Sequence, residues 1–296
     1  MVFLAALAGG AVLWQMHNRS EVSRASAAVA VMAPHPAAIA EESKGGAAEA
    51  REMSAPLADA SRQPAGTKKA AVVADAGSPL RAGETWQYSA TVSKLSSVAN
   101  LLLKVAEKRN FLGKNAWHLQ AFAHTENPLR MVFALDDQFD SYSDAATLVS
   151  MQYEMHLNEK GQTVDSVQRM SPVVREPAPA NATAARVLPG TRDPLGMMQY
   201  LRTVDWAKTP EVRSPVYDGH KLYDVHARLQ ARGEPVTVPA GKFNTYKIEL
   251  QVLDNGAEMK DAHFILYLSN TEARLPVLLE AVMPFAVARV ELVKAE

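Results

Sequence analysis

Apolar and polar residues alternate with a period of two beyond residue 79, in segments of about eight to twelve residues. Successive side chains of a strand point to opposite faces of a sheet, so this alternation predicts antiparallel strands with one buried and one solvated face. The pattern is clearest in two segments near the C-terminus, whose apolar sides are Tyr223, Val225, Ala227 and Leu229, and Tyr246, Ile248, Leu250 and Val252.

Turn-forming residues separate these segments, and several of the turns are short enough to close hairpins. They include residues 158–161, Asp218-Gly219, Arg232-Gly233, residues 239–241 and Asn255-Gly256. An irregular stretch rich in proline and alanine covers residues 172–189. The turns and the alternating segments together predict about ten to twelve strands.

One helix is predicted after the irregular stretch. Asp193 has the side chain of an N-cap, and Pro194 suits the first helical position. Apolar residues then follow at helical spacing, namely Leu195, Met198 and Leu201. The apolar side of this helix is expected to pack on the sheet or to fill one end of a barrel.

A flat sheet with so many strands would leave long unpaired edges, so the sheet must curl or close. The expected fold is therefore mainly β: an antiparallel, strongly curved sheet or β-barrel of about 10–12 strands with one short helix. Two packed sheets would satisfy the same strand count. The predicted domain spans residues 79–296.

Residues 20–78 contain no aromatic residue and are dominated by alanine with glutamate, serine, proline, glycine and lysine. Such a composition buries too little apolar surface to offset the entropy of an ordered backbone. A disordered Ala/Pro-rich tether is predicted here. It would connect the β domain to an apolar segment within residues 1–19.

The apolar run at residues 2–14 has the length of a signal-peptide core. As a helix it would span roughly 20 Å, less than the ~30 Å hydrocarbon core of a bilayer. This run fits either an uncleaved membrane anchor or a cleaved signal peptide. The alternative is a cytoplasmic protein whose N-terminus is apolar by chance. The anchor and the cleaved signal both imply export and place the β domain in the bacterial periplasm, where it would be anchored to the inner membrane or released.

Charge and composition exclude several classes of function. The net charge is −1, without a strongly basic run, so no nucleic-acid partner is expected. The chain has no cysteine, which removes disulfides, thiolate metal sites and cysteine nucleophiles. No phosphate-binding glycine loop, Gly-x-Ser-x-Gly elbow or His-Glu-x-x-His pair is present. The sequence thus predicts no cofactor, no metal and no enzymatic activity.

Two groups of titratable residues are candidate metal sites. His118 and His124 are six apart on one predicted strand, about 20 Å, too far to share a metal ion, and His220 and His226 repeat the spacing. A solvated strand face is the expected setting of these histidines. The acidic segment of Asp136, Asp137, Asp140 and Asp144 lacks the glycine turn of a calcium loop and is also expected to form an exposed strand face.

Short motifs along the β domain resemble a bacterial family of exported proteins, domain of unknown function 3108. The resemblance covers about residues 80–293 and lies in these stretches: residues 80–84 with Tyr88, residues 193–195 with residues 200–202, residues 218–221 with Tyr223, residues 238–243, and Leu268-Ser269 with residues 274–277. It implies an exported, mainly β domain without an assigned reaction. It offers no catalytic residues to transfer.

Six aromatic residues from different predicted strands could line a common interior: Trp86, Tyr88, Trp117, Phe122, Phe264 and Tyr267. They either fill a core or line a ligand cavity. The leading hypothesis is a non-enzymatic envelope protein whose β domain binds a lipid or other amphipathic ligand. The alternatives are a tethered module for protein–protein interaction in the envelope, which would bind through a sheet edge or strand face, and a cell-wall hydrolase.

Overall fold

The computed structural model describes residues 78–93, 95–171, 183–259, 263–284 and 286–296. Two helices lie in these ranges, α1 (Leu129–Val132) and α2 (Pro194–Thr203). The strands are β1 (Thr85–Val92), β2 (Leu95–Phe111), β3 (Lys114–Thr125), β4 (Asp136–Asp144), β5 (Ser150–Glu159), β6 (Gln162–Ser171), β7 (Thr183–Arg186), β8 (Glu211–Tyr217), β9 (Leu222–Val238), β10 (Gly241–Asp254), β11 (Ala257–Glu258), β12 (His263–Ser269), β13 (Pro276–Met283) and β14 (Ala286–Ala295).

All fourteen strands belong to one sheet, in the order β7-β6-β5-β4-β3-β2-β1-β14-β13-β12-β10-β9-β8, with β11 paired to β10. Every described pairing between strands is antiparallel except that of β6 with β7. The first strand, β1, lies in the middle of the sheet and pairs with the last strand, β14. The two ends of the sheet are β7 and β8, so no ladder among the described strands closes it into a barrel.

The sheet nevertheless curls strongly. Its two longest strands, β2 and β9, have 17 residues each, and register shifts interrupt the ladders they form, for example between Val105 and Glu107. An extra residue in one strand bends it and increases its twist. Strand β9 consequently contacts β13 and β14, which are not its neighbours in the sheet.

Helix α2 occupies the concave side of this curved sheet. Eight of its ten residues are buried, and it packs against β3, β4 and β8. A helix buried on nearly all sides belongs to a core rather than to a surface. The inward side chains of the strands and of α2 form one continuous apolar core, which includes Trp86, Leu201, Trp206, Phe264 and Leu292.

The predicted fold class is confirmed: the domain is mainly β, with one strongly curved sheet. The strand count is higher than expected because β7 and β11 have only four and two residues, too few to show a period. The alternation in β9 and β10 is as predicted, with Val225 and Ile248 fully buried. Asp193 is the N-cap of α2, with Pro194 at its start.

The apolar segment 1–19 and the tether 20–78, except Ser78, lie outside the described residues. Neither helix of the described ranges is long and apolar enough to cross a bilayer.

Candidate functional site

The N-terminal end of α2 is fixed by a buried polar network. The carboxylate of Asp193 accepts hydrogen bonds from the Ser141 hydroxyl (2.5 Å) and from the backbone N–H of Gly196 (2.8 Å). The backbone N–H of Asp193 donates to the Ser150 hydroxyl (2.7 Å). Burial raises the pKa of Asp193, and the hydrogen bonds only partly oppose this effect. The network ties the helix to β4 and β5.

The C-terminal end of α2 is fixed by a buried arginine. Arg202 is completely buried, and its guanidinium lies 4.4 Å from the centre of the Trp86 ring. It donates to the Glu84 carboxylate (3.2 Å), to the Gln199 amide oxygen (2.7 Å) and to the carbonyl of Ala273 (2.8 Å). Because these groups satisfy the charge, Arg202 holds the helix in place and is not available to an anionic ligand.

Space in the interior is small. A cavity between Met198 and strands β1, β2, β12, β13 and β14 has a volume of about 20 Å³, room for a single water molecule. A larger groove of about 430 Å³ is open to solvent beside Glu84 and Trp86, but the Glu84 carboxylate is already bound to Arg202. Helix α2 takes up much of the described interior.

The six aromatic residues predicted to line a common interior divide between the two faces of the sheet. Trp86, Tyr88, Trp117 and Phe264 are buried in the core. Phe122 instead lies half-buried on the outer face, with the Lys104 ammonium 5.4 Å from the centre of its ring.

Tyr267 is buried as well (7% exposed) and belongs to the apolar core cluster, but it lies on the opposite face of β12 from Phe264, and its hydroxyl donates to Glu280 (3.1 Å). Burial, followed by the Glu280 charge, raises the pKa of Tyr267 to about 12. The prediction of a shared interior is therefore corrected for half-buried Phe122, whereas Tyr267 is buried but faces away from Phe264. Phe122 is five positions from Trp117, and Tyr267 is three from Phe264, so the period of two puts each pair on opposite faces.

The outer face of β3 and β4 carries a compact polar group, here called the Asp140 cluster: His118, Gln120, Gln138 and Asp140. The Asp140 carboxylate accepts hydrogen bonds from His118 Nε2 (2.7 Å), Gln120 Nε2 (2.8 Å) and Gln138 Nε2 (2.7 Å). Burial raises the pKa of Asp140, but these bonds outweigh it, so the pKa lies below its usual range. The Tyr142 ring stacks on His118, with ring centres 4.6 Å apart.

The two serines nearest to this pair of histidine and aspartate lie on the other face of the sheet. The nearby serines, Ser141 and Ser143, point to the interior, where they bind each other and Asp193. No group of three or more His, Asp or Glu side chains within the described ranges is arranged to hold a metal ion.

The acidic segment is not the uniformly exposed face that was expected. Asp137 points inward and is only 5% exposed, and its carboxylate accepts the backbone N–H of Asn158 (2.9 Å). Burial raises the pKa of Asp137 to about 7. Asp140, on the other face, is equally covered because the cluster surrounds it. The odd spacing of the two residues in one strand separates them.

The open side of the sheet, between β6–β7 and β8, is here called the seam. Near α2 it is bridged by the chain itself: the Ser150 N–H donates to the Thr191 carbonyl (3.1 Å), and the Tyr217 N–H donates to the Arg192 carbonyl (2.8 Å). The Arg192 guanidinium adds bonds to the Ser214 hydroxyl (2.9 Å) and the Thr147 carbonyl (2.8 Å). Backbone and side chains thus replace the missing ladder.

Farther along the seam, the turn between β8 and β9 packs against the inner face of β5. Gln168 Nε2 donates to the Gly219 carbonyl (2.6 Å), which links this turn to β6. Gly219 has a φ of +97°, and a Cβ there would lie 2.4 Å from Met155 Cε. Only glycine allows this backbone conformation and close approach together.

Four buried side-chain atoms in the described part of the chain have no hydrogen-bond partner: Tyr153 Oη, Gln168 Oε1, Arg169 Nε and Arg192 Nε. All four come from β5, β6 or the segment that bridges the seam. Most buried polar atoms in folded proteins are paired, so such a concentration in one place requires an explanation.

The sequence does not mark the seam residues as functional. Gly219 has only the signal of a turn residue, and Tyr153, Gln168 and Arg192 belong to no recognisable motif. The one local signal is that Arg192 immediately precedes the N-cap of α2, where a link between the helix start and the sheet is plausible from sequence.

Comparison with known proteins finds a matching family and solved structures of low sequence identity. No curated protein matches the chain. Among solved structures, a β-barrel-like protein of domain of unknown function DUF1849 from Brucella abortus is similar at a TM-score of 0.48 and 12% identity, covering 73% of this chain and 97% of that one.

Two further structures have lower TM-scores. A candidate lipoprotein from Parabacteroides distasonis gives 0.36 at 11% identity, covering 74% of this chain and 97% of its own. A candidate exported protein with a YmcC-like fold from Bacteroides fragilis gives 0.30 at 11% identity, covering 74% and 98%. Scores in this range establish no shared function.

The sequence signature of one family matches over residues 87–293, about the range expected from the short motifs. That family is described as protein of unknown function, DUF3108. The chain belongs to the DUF3108 family.

Proposed function

We propose that this domain is a non-enzymatic interaction module of the bacterial cell envelope, held by its N-terminal segment, and that it binds a protein partner at the seam. The observation that carries the proposal is the open side of the sheet, where residues 162–167 of β6 pair with β5 alone among the described strands. A partner could pair with the backbone groups that this side of β6 presents.

The geometry of the rest of the molecule supports the same choice. A lipid or other amphipathic ligand inside the sheet would have to displace α2, which Asp193 and Arg202 fix at its two ends. A cell-wall hydrolase needs polar groups that converge in a cleft, whereas the Asp140 cluster lies on an outer strand face. The apolar segment and the Ala/Pro-rich composition of residues 20–78 support an envelope location.

Site-specific crosslinking in cells tests this proposal. Because the chain has no cysteine, a single Thr163→Cys substitution places a photo-activatable crosslinker beside the seam. Thr237→Cys is the matched control, since Thr237 is equally exposed but lies on β9. We expect one reproducible crosslinked protein from position 163 and none from position 237. The same products from both positions, or none from either, would contradict the proposal.

A further inference from the structure

We propose that residues 162–167 of β6 bind an extended segment of the partner protein as an added strand, with cationic and apolar side chains alternating along that segment. This inference rests on the function proposed above and specifies how the seam would be used. The free edge that these residues present is here called the β6 edge.

Strand β6 is paired along one side only over this length. Its ladder with β5 runs from Glu159↔Gln162 to Gln152↔Arg169. On the other side it pairs with β7, but only at residues 168–171. In the ranges that the structure describes, no strand lies beside residues 162–167. β7 already pairs with residues 168–171 on this side of β6. The same side is therefore able to accept another strand along residues 162–167.

The turn that precedes β6 determines which backbone groups are free. Lys160 and Gly161 form a two-residue turn with φ values of +52° and +78°, which fits a type I′ hairpin. In such a hairpin the closing pair, Glu159 and Gln162, exchanges hydrogen bonds, and every second residue does so after it. The N–H and C=O groups of residues 163, 165 and 167 therefore point away from β5.

The opposite end of the sheet is protected from strand addition. Along β8, the Pro215 carbonyl accepts the Arg192 N–H (3.0 Å), the Tyr217 N–H is bound to the Arg192 carbonyl, and Pro215 has no N–H to offer. Proteins protect exposed edges with proline, lysine or a covering segment. The β6 edge contains neither proline nor lysine.

Side chains on the two faces of the β6 edge define the chemistry of the added strand. Val164 points inward and is 55% exposed, beside half-buried Leu157 in register on β5. Asp165 points outward with 76% of its side chain exposed, and it binds His156 Nδ1 (2.7 Å). A strand laid along this edge would place apolar side chains beside Val164 and cationic side chains beside Asp165.

A second copy of this chain fits the edge less well. If two copies paired antiparallel about the central edge residue, the two Asp165 carboxylates would lie opposite each other. Like charges in directly opposed positions destabilise a strand pair. This repulsion favours a segment of a different protein as the occupant.

The test measures binding of two synthetic peptides to the purified full chain by fluorescence anisotropy. One peptide alternates lysine with valine over eight residues, and the control alternates glutamate with valine. We expect the lysine peptide to bind and the glutamate peptide to bind at least about tenfold more weakly. Asp165→Lys should reverse this preference. Equal binding of both peptides, or binding of neither, would overturn the inference.

A backbone variant separates strand addition from simple charge attraction. Val167→Pro removes an N–H that points to the free edge and leaves the ladder with β5 intact, whereas Val167→Ala keeps that N–H. We expect the proline variant to weaken binding of the lysine peptide about tenfold and the alanine variant to leave it unchanged. Thermal unfolding of both variants checks that they fold. Equal binding by the two variants would overturn strand addition.

The crosslinking experiment distinguishes the two levels of proposal. If Thr163→Cys still captures its partner in cells when Val167→Pro is added, the seam binds in another way, and only the strand inference fails. If position 163 captures no partner at all, the proposed function itself fails.

Discussion

The Asp140 cluster and the seam are both polar regions next to the same strands, yet their hydrogen bonding differs. In the Asp140 cluster one carboxylate receives three donors, at 2.7 to 2.8 Å. At the seam, four buried polar atoms have no partner. Histidine and acidic residues make this cluster a candidate site in the sequence, but the Asp140 carboxylate already has its hydrogen-bond donors within the cluster.

The comparison shows that residue types typical of a functional site do not indicate whether their hydrogen-bonding groups are still free to bind a ligand. A satisfied cluster stabilises cross-strand packing and has little left to offer a ligand. Buried polar atoms without partners lower the stability of the folded protein. Five substitutions examine this contrast, from the largest expected effect on the free energy of unfolding to the smallest.

Arg192→Ala should cost about 2–4 kcal/mol, because it removes the bridging bonds of the seam and a guanidinium that stacks 3.7 Å from the centre of the Tyr200 ring. Chemical denaturation measures the loss. Arg213→Ala is the control, since that side chain is 62% exposed, and its cost should stay below about 0.5 kcal/mol. Equal costs for the two variants would show that the seam is not a structural bridge.

Gly219→Ala should cost about 1–3 kcal/mol, because the new methyl group meets Met155 and the positive φ disfavours any side chain. Gly256→Ala is the matched control: its φ of +81° is similar, but a Cβ there has open space. Its cost should be limited to backbone strain, about 1 kcal/mol. Adding Met155→Ala should reduce the difference between the two glycine variants, and no reduction would argue against the contact.

Asp137→Asn should change the pH dependence of stability. The pKa of Asp137 is raised to about 7, so between about pH 4 and pH 7 the unfolded chain loses this proton while the folded chain keeps it. Stability of the native protein should therefore fall as pH rises through this window and level off above it. The variant should lack this fall and be about 1–2 kcal/mol more stable at pH 8. Identical pH profiles of melting temperature would contradict the prediction.

Asp140→Asn should cost about 1 kcal/mol at pH 7, because half-buried His118 and the two glutamines can turn toward water once the carboxylate is gone. The pKa of Asp140 is lowered, so its contribution is present above the unfolded value of about 4 and is lost as pH falls through the folded value. Melting temperatures between pH 6 and pH 3 should therefore fall more for the native protein than for the variant. The reverse order would contradict the assignment.

Tyr153→Phe should have the smallest effect, within about 0.5 kcal/mol and toward greater stability. Its hydroxyl is buried without a partner, so its removal sacrifices no hydrogen bond. Ser141→Ala provides the contrast, since that hydroxyl binds Asp193 and its loss should cost about 1 kcal/mol. Calorimetry of both variants measures the difference. A cost for Tyr153→Phe equal to that of Ser141→Ala would mean that the Tyr153 hydroxyl is paired in solution.

Local patterns in the sequence were sufficient for the fold class and the longer elements, but not for β7, β11 and the four-residue helix α1. The alternation in β9 and β10 fixed the buried side of each strand, and the Asp193-Pro194 pair fixed the start of α2. These features depend on neighbouring residues only. The period of two also predicts which face of the sheet Phe122 and Tyr267 occupy. Each is an odd number of positions from an inward-pointing aromatic residue of its own strand.

Long-range contacts could not be predicted in the same way. The seam exists because β7 and β8 are the two ends of the strand order, and no local pattern in either strand indicates this position. The contact of Gly219 with Met155 joins a turn to a strand 64 positions earlier in the chain. The burial of Asp137 likewise depends on the register with β5, which a single sequence does not reveal.

The pairing of β1 with β14 has a consequence for how the chain folds. Most other strand pairs join neighbours in sequence and close short loops, so each half of the sheet is able to form early as a local meander. Joining Trp86 to Ala295 instead closes a loop of about 200 residues, with a correspondingly high entropic cost. We expect the pairing of β1 with β14, which joins the two halves of the sheet, to be the slow step of folding. A circular permutant of residues 79–296, with a short linker from Glu296 to residue 79 and new ends between α2 and β8, would turn that step into the closing of a short loop.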